Sequence, residues 1–368
     1  MKRKLHIIRD HIFFDSVIRI FESIEPDLHE YYILSSRKEL KYIKSKKVKF
    51  IRPAVLYYSF FILKFRFDSV IIHGLNSKFL GHFLINKCKN IKVLWIGWGF
   101  DYYDLIGEDL LKEKTKKMIG NEQYNFDLKV ENRFLRFVNI PVDKKKLFMT
   151  VDYFAPVLES EYYLIKEKTF YKDLPLFLDW NYLTLEDDLI KGFEDLTIQG
   201  NNILVGNNAN PFNNHLDAFT DIQGFSFSFE NVICPLSYGD KSKNEIIISE
   251  GKRVFKERFY PITDFLKYEE YIKNIISCKF VFINSIKQNA LGNIVVMLYL
   301  GAYVILDERN PVYVFFKKLG IQIYSIEEAK TGLFEVINLK RTRLVLKDIW
   351  GRDSIQIKSK ALIQTLNN

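Results

Sequence analysis

Cysteine is scarce in this chain, and the three copies lie far apart. Cys88, Cys234 and Cys278 form no CxxC pair. Such spacing indicates neither a disulfide framework nor a zinc site. We therefore expect a reducing compartment, most simply the cytoplasm, and no bound metal.

Export and membrane-spanning signals are weak. The opening stretch MKRKLHIIRDHIFFDSV starts like a signal peptide, but Arg9, Asp10 and Asp15 fall where an apolar region should run, so we predict a first strand instead. The run 288–306 has no charged residue and is nearly long enough to cross a bilayer. Its polar start and Gly301 predict a buried helix of about ten residues, a glycine cap and a strand.

Acidic residues are fewer than basic ones, which leaves a net charge of +9 and a pI near 9.1. The partner is therefore expected to be anionic, such as a nucleotide, a phospholipid surface or a nucleic acid. No RRM, KH or helix-turn-helix pattern occurs, so we expect no nucleic acid. A hydrophobic fraction of 48% over 368 residues excludes disorder and suffices for two cores.

The chain alternates short apolar runs with longer mixed segments, which predicts an α/β fold with parallel sheets. In the first half the runs are KLHIIR, EYYILSS, SVIIHGL and KVLWIGWG. After a polar connector that includes LTLEDDLIKGFEDL, the alternation resumes with NILVGN, FENVICPLSYG, KFVFINS and AYVILDE. Two successive α/β domains are expected.

Neither GxGxxG nor GxxxxGK[ST] occurs, which weighs against dinucleotide enzymes and P-loop NTPases, and no cofactor is expected. Two other stretches have the character of a diphosphate clamp. ILVGNNANPFNNH (203–215) is an apolar strand that opens into a glycine and asparagines, and KQNALGN (287–293) is a polar helix start with a glycine. The alternative is an Asn-rich turn that only satisfies its own backbone.

With these motifs the chain resembles the family of lipid II 4-acetamido-4,6-dideoxygalactose (Fuc4NAc) transferases of enterobacterial common antigen synthesis, which use a dTDP-sugar donor. The resemblance runs from about Leu5 to Ala329. The stretches that carry it are WIGWGFDYYDL (95–105), ILVGNNANPFNNHLDAF (203–219), PLSYG (235–239), QNALGNI (288–294) and LDERNP (306–311).

The resemblance implies a GT-B glycosyltransferase, in which two Rossmann-like domains face a cleft. We expect an acceptor-binding domain over 1–180, a nucleotide-sugar-binding domain over 195–335, and a helical segment over 336–368 that packs back on the first domain. A metal is not expected, because the EDD at 186–188 lies in the connector without a preceding strand to aim it at a diphosphate.

Donor-site residues follow from the resemblance. The glycine and asparagines after the first strand of the second domain would hold the diphosphate or the sugar, and the start of the 288–300 helix would bind the diphosphate. A tyrosine would stack on the base, and Asp307 or Glu308 would meet the deoxyribose. The expected set is Gly206, Asn207, Asn208, Asn214, Tyr238, Gln288, Asn289, Gly292, Asn293 and Glu308.

Two residues are candidates for proton transfer. His215 follows the asparagines at a predicted helix start, where an imidazole could act as acid or base. Asp101 follows a strand of the first domain and could take the proton of the acceptor hydroxyl, although a buried structural role fits equally well. His6 and His73 lie beside buried strands and are expected to be structural.

A basic and aromatic segment, 41–67, predicts attachment to an anionic membrane through Lys44, Lys46, Lys47 and Lys49, with a solvated face as the alternative. Together these features predict a metal-independent hexosyltransferase that moves a deoxyamino sugar from a dTDP-sugar to a polyprenyl-diphosphate-linked glycan. It would work peripherally at the cytoplasmic face of the inner membrane. The alternative is a nonenzymatic protein that binds nucleotide sugars or polyanions.

Overall fold

The computed structural model describes residues 2–35, 39–75, 77–107, 109–120, 143–169 and 174–368. The described residues form two compact units. The first contains those within 1–108, 125–184 and 350–368, and the second contains those within 109–124 and 185–349. Residues 109–120, expected in the first domain, belong to the second unit, and of the expected C-terminal segment 336–368 only 350–368 belong to the first unit.

The first unit is built on a parallel sheet of seven strands, and the four apolar runs predicted there form β1, β2, β4 and β5. The sheet order is β3-β2-β1-β4-β5-β6-β7. Its strands are β1 (Arg3–Ile8), β2 (His29–Leu34), β3 (Val48–Ile51), β4 (Phe67–His73), β5 (Lys92–Ile96), β6 (Tyr153–Ala155) and β7 (Leu176–Phe177). Its helices are α1 (Phe14–Ile24), α2 (Pro53–Leu63), α3 (Lys78–Lys87), α4 (Tyr103–Ile106), α6 (Lys144–Phe148), α7 (Glu159–Thr169) and α15 (Arg352–Asn367).

The second unit contains a parallel sheet of six strands, in the order β10-β9-β8-β11-β12-β13. Its strands are β8 (Asn202–Val205), β9 (Val232–Pro235), β10 (Phe259–Ile262), β11 (Cys278–Ile283), β12 (Tyr303–Leu306) and β13 (Ile323–Ser325). Its helices are α5 (Glu113–Ile119), α8 (His215–Gln223), α9 (Asn244–Phe255), α10 (Tyr268–Ile275), α11 (Leu291–Leu300), α12 (Pro311–Lys318), α13 (Ile326–Thr331) and nearly all of α14 (Leu339–Trp350).

Both sheets reverse their strand order once, between β1 and β4 in the first unit and between β8 and β11 in the second. In such doubly wound sheets the connections leave in opposite directions at this point, which opens a crevice beyond the carboxyl ends of the two strands. Parallel pairing aligns Val205 with Phe282 at the second switch point. The loops after β8 and β11 therefore begin side by side.

The uncharged run 288–306 forms a helix and a strand, as the sequence predicts. Helix α11 ends at Leu300, Gly301 follows with φ +95°, and β12 begins at Tyr303. The left-handed backbone at Gly301 lets its amide bond back to Leu298 and Met297. No helix within the described ranges has the length and apolar character needed to cross a bilayer.

Three buried histidines form a hydrogen-bonded chain inside the first unit. Nδ1 of His6 lies 3.0 Å from Nε2 of His73, and Nε2 of His6 lies 2.9 Å from Nδ1 of His29. Nδ1 of His73 lies 3.2 Å from the hydroxyl of Tyr182. Burial lowers the pKa of all three imidazoles, to about 3 for His73 and to about 4 for His29. The three imidazoles are therefore neutral at physiological pH.

Helix α15 belongs to the first unit although it follows the second in the chain. Leu362, Ile363 and Leu366 on this helix are buried in the same apolar cluster as residues of β1 and α1. Trp180 donates from Nε1 to the hydroxyl of Ser359 at 2.8 Å. The core of the first unit thus requires residues from both ends of the described chain.

Residues 109–120 belong to the second unit because one carboxylate holds the start of α5. Asp217, in the first turn of α8, accepts hydrogen bonds from the backbone amides of Lys114 and Thr115, each at 2.9 Å, and from the Thr115 hydroxyl at 2.7 Å. The first amides of a helix lack partners within it, so a carboxylate there stabilises the helix. This partner lies about a hundred residues away in the sequence, and no local pattern predicts it.

Candidate functional site

Gly206 ends β8 at the switch point of the second sheet, and only glycine fits there. Its φ is +67°, and a Cβ at this position would lie 2.7 Å from Nε2 of His215 and 3.3 Å from Oδ1 of Asn213. Its amide bonds to the carbonyl of Phe282 on β11 at 3.0 Å. The chain therefore turns sharply out of the sheet and brings the imidazole against the backbone.

Much of the asparagine loop satisfies its own backbone, as the alternative interpretation of the sequence expects. Oδ1 of Asn208 accepts from the Asn210 amide at 2.7 Å and from Nδ2 of Asn213 at 3.0 Å. Nδ2 of Asn213 also reaches the Asn208 carbonyl at 3.0 Å. The oxygen of Asn208 is therefore engaged inside the loop, and this side chain fixes the loop's shape.

Other asparagines link this loop to neighbouring strands. Asn289, from the loop after β11, donates from Nδ2 to Oδ1 of Asn207 at 3.2 Å and to Oδ1 of Asn213 at 3.0 Å. Nδ2 of Asn207 in turn lies 3.2 Å from the hydroxyl of Tyr238, whose ring is about half exposed. The structure thus brings Gly206, Asn207, Asn289 and Tyr238 together at one edge of the sheet.

The start of α11 lies at the same edge. Ala290 precedes the helix with φ +59°, a conformation uncommon for a residue with a side chain. A Cβ on Gly292 would make an ordinary contact with Leu189, at 3.7 Å, so nothing clashes with a small group beside this glycine. Gln288 is buried, and Asn293 donates to the hydroxyl of Tyr271 at 2.9 Å. The unpaired amides of this first helical turn carry the partial positive charge that suits an anion.

His215 is the first residue of α8 and is buried against Gly206. Among the described residues, its Nε2 has no hydrogen-bond partner. Burial lowers the pKa of His215 to about 4, so the ring is neutral near pH 7. A buried polar nitrogen without a partner is costly, and such groups concentrate at functional sites.

Asn214 has a structural role that its sequence context does not reveal. Its backbone is left-handed, with φ 48°, and its Oδ1 accepts from the Lys112 amide at 2.9 Å. Its Nδ2 donates to the carbonyl of Asn284 at 3.0 Å. Asn214 therefore ties the loop after β8 to the loop after β11 and to the segment before α5.

The two carboxylates after β12 have different surroundings. Asp307 is buried, and although burial would raise its pKa, hydrogen bonds from Arg309 and Lys112 lower it to about 2. The Lys112 ammonium lies 2.9 Å from Asp307. Glu308 is exposed. Of the two carboxylates, Glu308 is the one whose side chain faces solvent.

Sequence reasoning missed several residues at this edge. Lys112 lies in a segment that the sequence assigned to the first domain, and only the fold brings its ammonium next to Asp307 and Asn284. Ser285 is fully buried, and its hydroxyl has no hydrogen-bond partner among the described residues. Lys287 is also buried, with its ammonium 4.8 Å from the centre of the Phe212 ring. Ser285 and Lys287 lie in the loop that follows β11, and this place after a predicted strand was the signal that could have found them.

Asp101 lies in the first unit, in the loop after β5, and is 1% exposed. Its Oδ2 accepts from the Leu75 amide at 2.7 Å and from Nε1 of Trp95 at 2.8 Å, and its Oδ1 accepts from the Trp98 amide at 2.8 Å. Burial raises the pKa of Asp101, and these three donors lower it only in part. Both oxygens thus hold the loops after β4 and β5.

The four lysines expected at a membrane are not equivalent. All are exposed, but Lys47 pairs with Glu22 and Asp27, and Lys49 lies 2.9 Å from Glu30. Lys44 and Lys46 have exposed side chains in the loop before β3. The positive charge of Lys47 and Lys49 is thus partly neutralised within the protein.

Comparison with known protein families identifies one match. Residues 185–345 match the model of the 4-alpha-L-fucosyltransferase family, glycosyl transferase group 56. The match confirms the resemblance drawn from the sequence motifs. All four donor-side stretches, 203–219, 235–239, 288–294 and 306–311, lie inside it, whereas WIGWGFDYYDL (95–105) lies outside. No curated protein is significantly similar to the chain.

Solved structures share the fold over the whole chain. Sucrose-phosphate synthase from Thermosynechococcus elongatus has a TM-score of 0.64 at 9% identity and covers 100% of this chain and 99% of its own. The lipopolysaccharide outer core galactosyltransferase WaaB has a TM-score of 0.64 at 11% identity, with 99% of each chain covered. HepE from Anabaena, in complex with UDP and glucose, has a TM-score of 0.60 at 9% identity, with both chains fully covered.

These likenesses confirm the predicted GT-B fold, with a doubly wound parallel sheet in each unit. The family match adds the activity class. The chain is therefore a glycosyltransferase of GT-B fold whose residues 185–345 match the 4-alpha-L-fucosyltransferase family, group 56.

Proposed function

We propose that the protein transfers a deoxyamino sugar, 4-acetamido-4,6-dideoxygalactose or a close analogue, from a dTDP-sugar to a polyprenyl-diphosphate-linked glycan. The reaction takes place at the cytoplasmic face of the inner membrane and needs no metal. The observation that carries the donor half of this proposal is the switch point of the second sheet. There, Gly206, Asn207 and Asn289 meet the open first turn of α11.

The diphosphate would bind at the start of α11. Its negative charge would lie against the unpaired amides of the first turn, and Gly292, which has no side chain, would let it approach the backbone. Tyr238 would offer its half-exposed ring to the thymine, and Glu308 would reach the 3′-hydroxyl of the deoxyribose. The UDP complex of the similarly folded HepE supports a nucleotide-sugar donor.

His215 is the better candidate for proton transfer. Its ring is neutral near pH 7 and its Nε2 has no partner among the described residues, so the nitrogen can accept the proton of an acceptor hydroxyl or donate to the leaving phosphate. Both oxygens of Asp101 already accept hydrogen bonds from loop amides and from Trp95. Asp101 remains the second candidate.

Metal independence follows from how the leaving diphosphate is stabilised in this proposal. The amides at the start of α11 and the asparagine side chains would stabilise the negative charge that develops on the leaving diphosphate. In metal-dependent enzymes a cation has this role. Transfer should therefore proceed at an unchanged rate in EDTA. A strict requirement for added magnesium or manganese would count against the proposed mechanism.

Substitution of Gly292 tests the donor site most directly. A Cβ at Gly292 would make only an ordinary contact with Leu189, at 3.7 Å, so Gly292→Val should keep the melting temperature within a few degrees. The same side chain would occupy the path of the diphosphate, and we expect dTDP affinity to fall by about tenfold or more. Isothermal titration with dTDP measures this effect, and Gly292→Ala should give a smaller loss.

The titration tests the donor site, and a transfer assay on the wild type separates the proposed enzyme from a nonenzymatic binder. If Gly292→Val binds dTDP as well as the wild type does, the diphosphate does not bind at α11 and the donor site is wrong. If the wild-type protein binds a dTDP-sugar but transfers it to no lipid-linked acceptor, the protein is a nonenzymatic nucleotide-sugar binder.

A further inference from the structure

Helix α2 in the first unit is apolar on both of its faces. Leu56 and Phe60 on one face are fully buried, and the Phe60 ring packs edge-on against Phe83 of α3 at 4.7 Å. The opposite face is equally rich in large apolar residues but is uncovered. The exposed fractions are 52% for Val55, 63% for Tyr58, 62% for Phe61, 60% for Ile62 and 69% for Phe65, which follows the helix.

These five residues form one continuous stripe. Val55, Tyr58, Ile62 and Phe65 are spaced by three, four and three positions, which places them on the same side of a helix, and Phe61 adjoins them. A soluble helix normally turns charged residues to solvent opposite its buried face. The stripe on α2 has none, so the exposed apolar residues indicate an interaction surface.

The charges around the stripe indicate what covers it. Residues 41–67 contain eight lysines and arginines and no aspartate or glutamate. Exposed Arg52 precedes α2, Lys64 and Arg66 follow it, and the ammonium of Lys87 lies 4.3 Å from the centre of the Tyr57 ring. Basic residues that border an apolar and aromatic face suit a layer of anionic headgroups over acyl chains. A second copy of the chain would bring the same positive charges together.

We propose that the outward stripe of α2, with Phe65, inserts into an anionic membrane surface and provides the main attachment of the protein to lipid. Arg52, Lys64 and Arg66 contact headgroups at its ends. Lys44 and Lys46 add long-range attraction, and Lys47 and Lys49 add less because they pair with carboxylates of the first unit. This inference rests on the proposed function in that a lipid-linked acceptor requires such a surface.

The test compares two sets of exposed residues by sedimentation with vesicles of phosphatidylglycerol and phosphatidylethanolamine. A triple variant, Tyr58→Gln, Ile62→Gln and Phe65→Gln, changes only exposed side chains and should fold normally. We expect its partition onto these vesicles to fall by about tenfold or more, because the apolar contact is lost. The matched control changes exposed apolar residues of the second unit, with Val314→Gln, Leu333→Gln and Val336→Gln, and should partition like the wild type.

A third variant separates apolar insertion from charge. Lys44→Gln with Lys46→Gln should weaken binding only a few-fold, and the loss should disappear at high salt. Wild-type partition by the α2 triple variant would overturn the proposal, and so would a larger loss in the lysine variant. Dimers of the wild type that the α2 substitutions dissociate would assign the stripe to a second copy instead.

The same variants keep this test independent of the donor site. The α2 triple variant should bind dTDP with wild-type affinity, because the stripe belongs to the first unit and the proposed donor site to the second. Vesicle binding without any sugar transfer would leave the membrane surface in place and reject the proposed function.

Discussion

The two sheets have the same strand order around the switch point but different chemistry there. In the second unit, the loops after β8 and β11 present asparagine amides, a left-handed glycine and an imidazole nitrogen without a described partner. In the first unit, the strands β1, β2 and β4 carry the three hydrogen-bonded histidines, and the carboxylate of Asp101 holds the loops after β4 and β5.

The two units differ in whether the polar side chains at the switch point have hydrogen-bond partners. At its switch point the first unit pairs the polar side chains of His6, His73 and Asp101 with other protein groups. The second leaves Nε2 of His215 and the hydroxyl of Ser285 without partners among the described residues. Topology alone therefore does not decide which switch point binds an anion, and the side chains of the two loops do.

Acid should destabilise the first unit more than the second, because three buried histidines lie in the first and only His215 in the second. The imidazoles of His6, His29 and His73 have pKa values below that of an exposed histidine, so the unfolded chain takes up protons first. The free energy of unfolding should be constant above about pH 7 and should fall by several kcal/mol in total as the pH drops from about 6.5 to 4. Urea unfolding at pH 7.5, 6 and 5 measures this loss.

A carboxylate provides an internal reference for that titration. Burial would raise the pKa of Glu30, but hydrogen bonds from Arg3, Lys49 and Tyr32 lower it to about 2. Its contribution is therefore present above about pH 4.5 and is lost only as the pH falls toward 2. An unfolding free energy that stays flat from pH 7 to 5 and falls only below pH 4 would contradict the assignment to the histidines.

Gly206→Val should abolish dTDP binding, with a loss of about a hundredfold or more. The new side chain meets Nε2 of His215 and forces a left-handed backbone on a β-branched residue. Gly74→Val is the matched control in the first unit, because Gly74 also has positive φ and its Cβ would crowd Trp98 at 3.3 Å. Gly74→Val should be less stable than the wild type but should still bind dTDP when titrated. Equal dTDP affinities of the two variants would mean that the two switch points do not differ in nucleotide binding.

His215→Ala should slow turnover by about a hundredfold and leave dTDP affinity within a few-fold of the wild type. The ring is neutral near pH 7, so its loss removes a proton acceptor without changing the charge of the donor site. Steady-state kinetics and dTDP titration on one preparation separate the two effects. A fully active variant would remove His215 from the mechanism and leave Asp101 as the candidate.

Asp217→Asn should have the smallest effect, a loss of about 1 kcal/mol in the stability of the second unit. The amide oxygen can still accept one bond from the start of α5, but the charge that faces the helix dipole is gone. Chemical unfolding measures the change, and dTDP affinity should stay unchanged. A clear loss of dTDP binding would mean that α5 takes part in the donor site.

Sequence patterns predicted the strands and the helix-glycine-strand run at 288–306 because these depend on local periodicity and on one left-handed glycine. They also placed Gly206 after a strand and His215 at a helix start, which the structure confirms. They did not predict that Asn214 bridges to Asn284 or that Lys112 pairs with Asp307, because these partners lie far apart in the sequence. The patterns gave equal weight to all four lysines because carboxylate partners such as Glu30 come from other strands.

The return of α15 to the first sheet has a consequence for synthesis. The pocket for Leu362 and Ile363 forms from residues near the start of the chain, yet these two residues are made only after the whole second unit. Until then the nascent first unit lacks part of its core and the partner of Trp180. The second unit can therefore fold during translation, whereas the first completes its core only when α15 has been synthesised. Until then the first unit is accessible to chaperones and prone to aggregation.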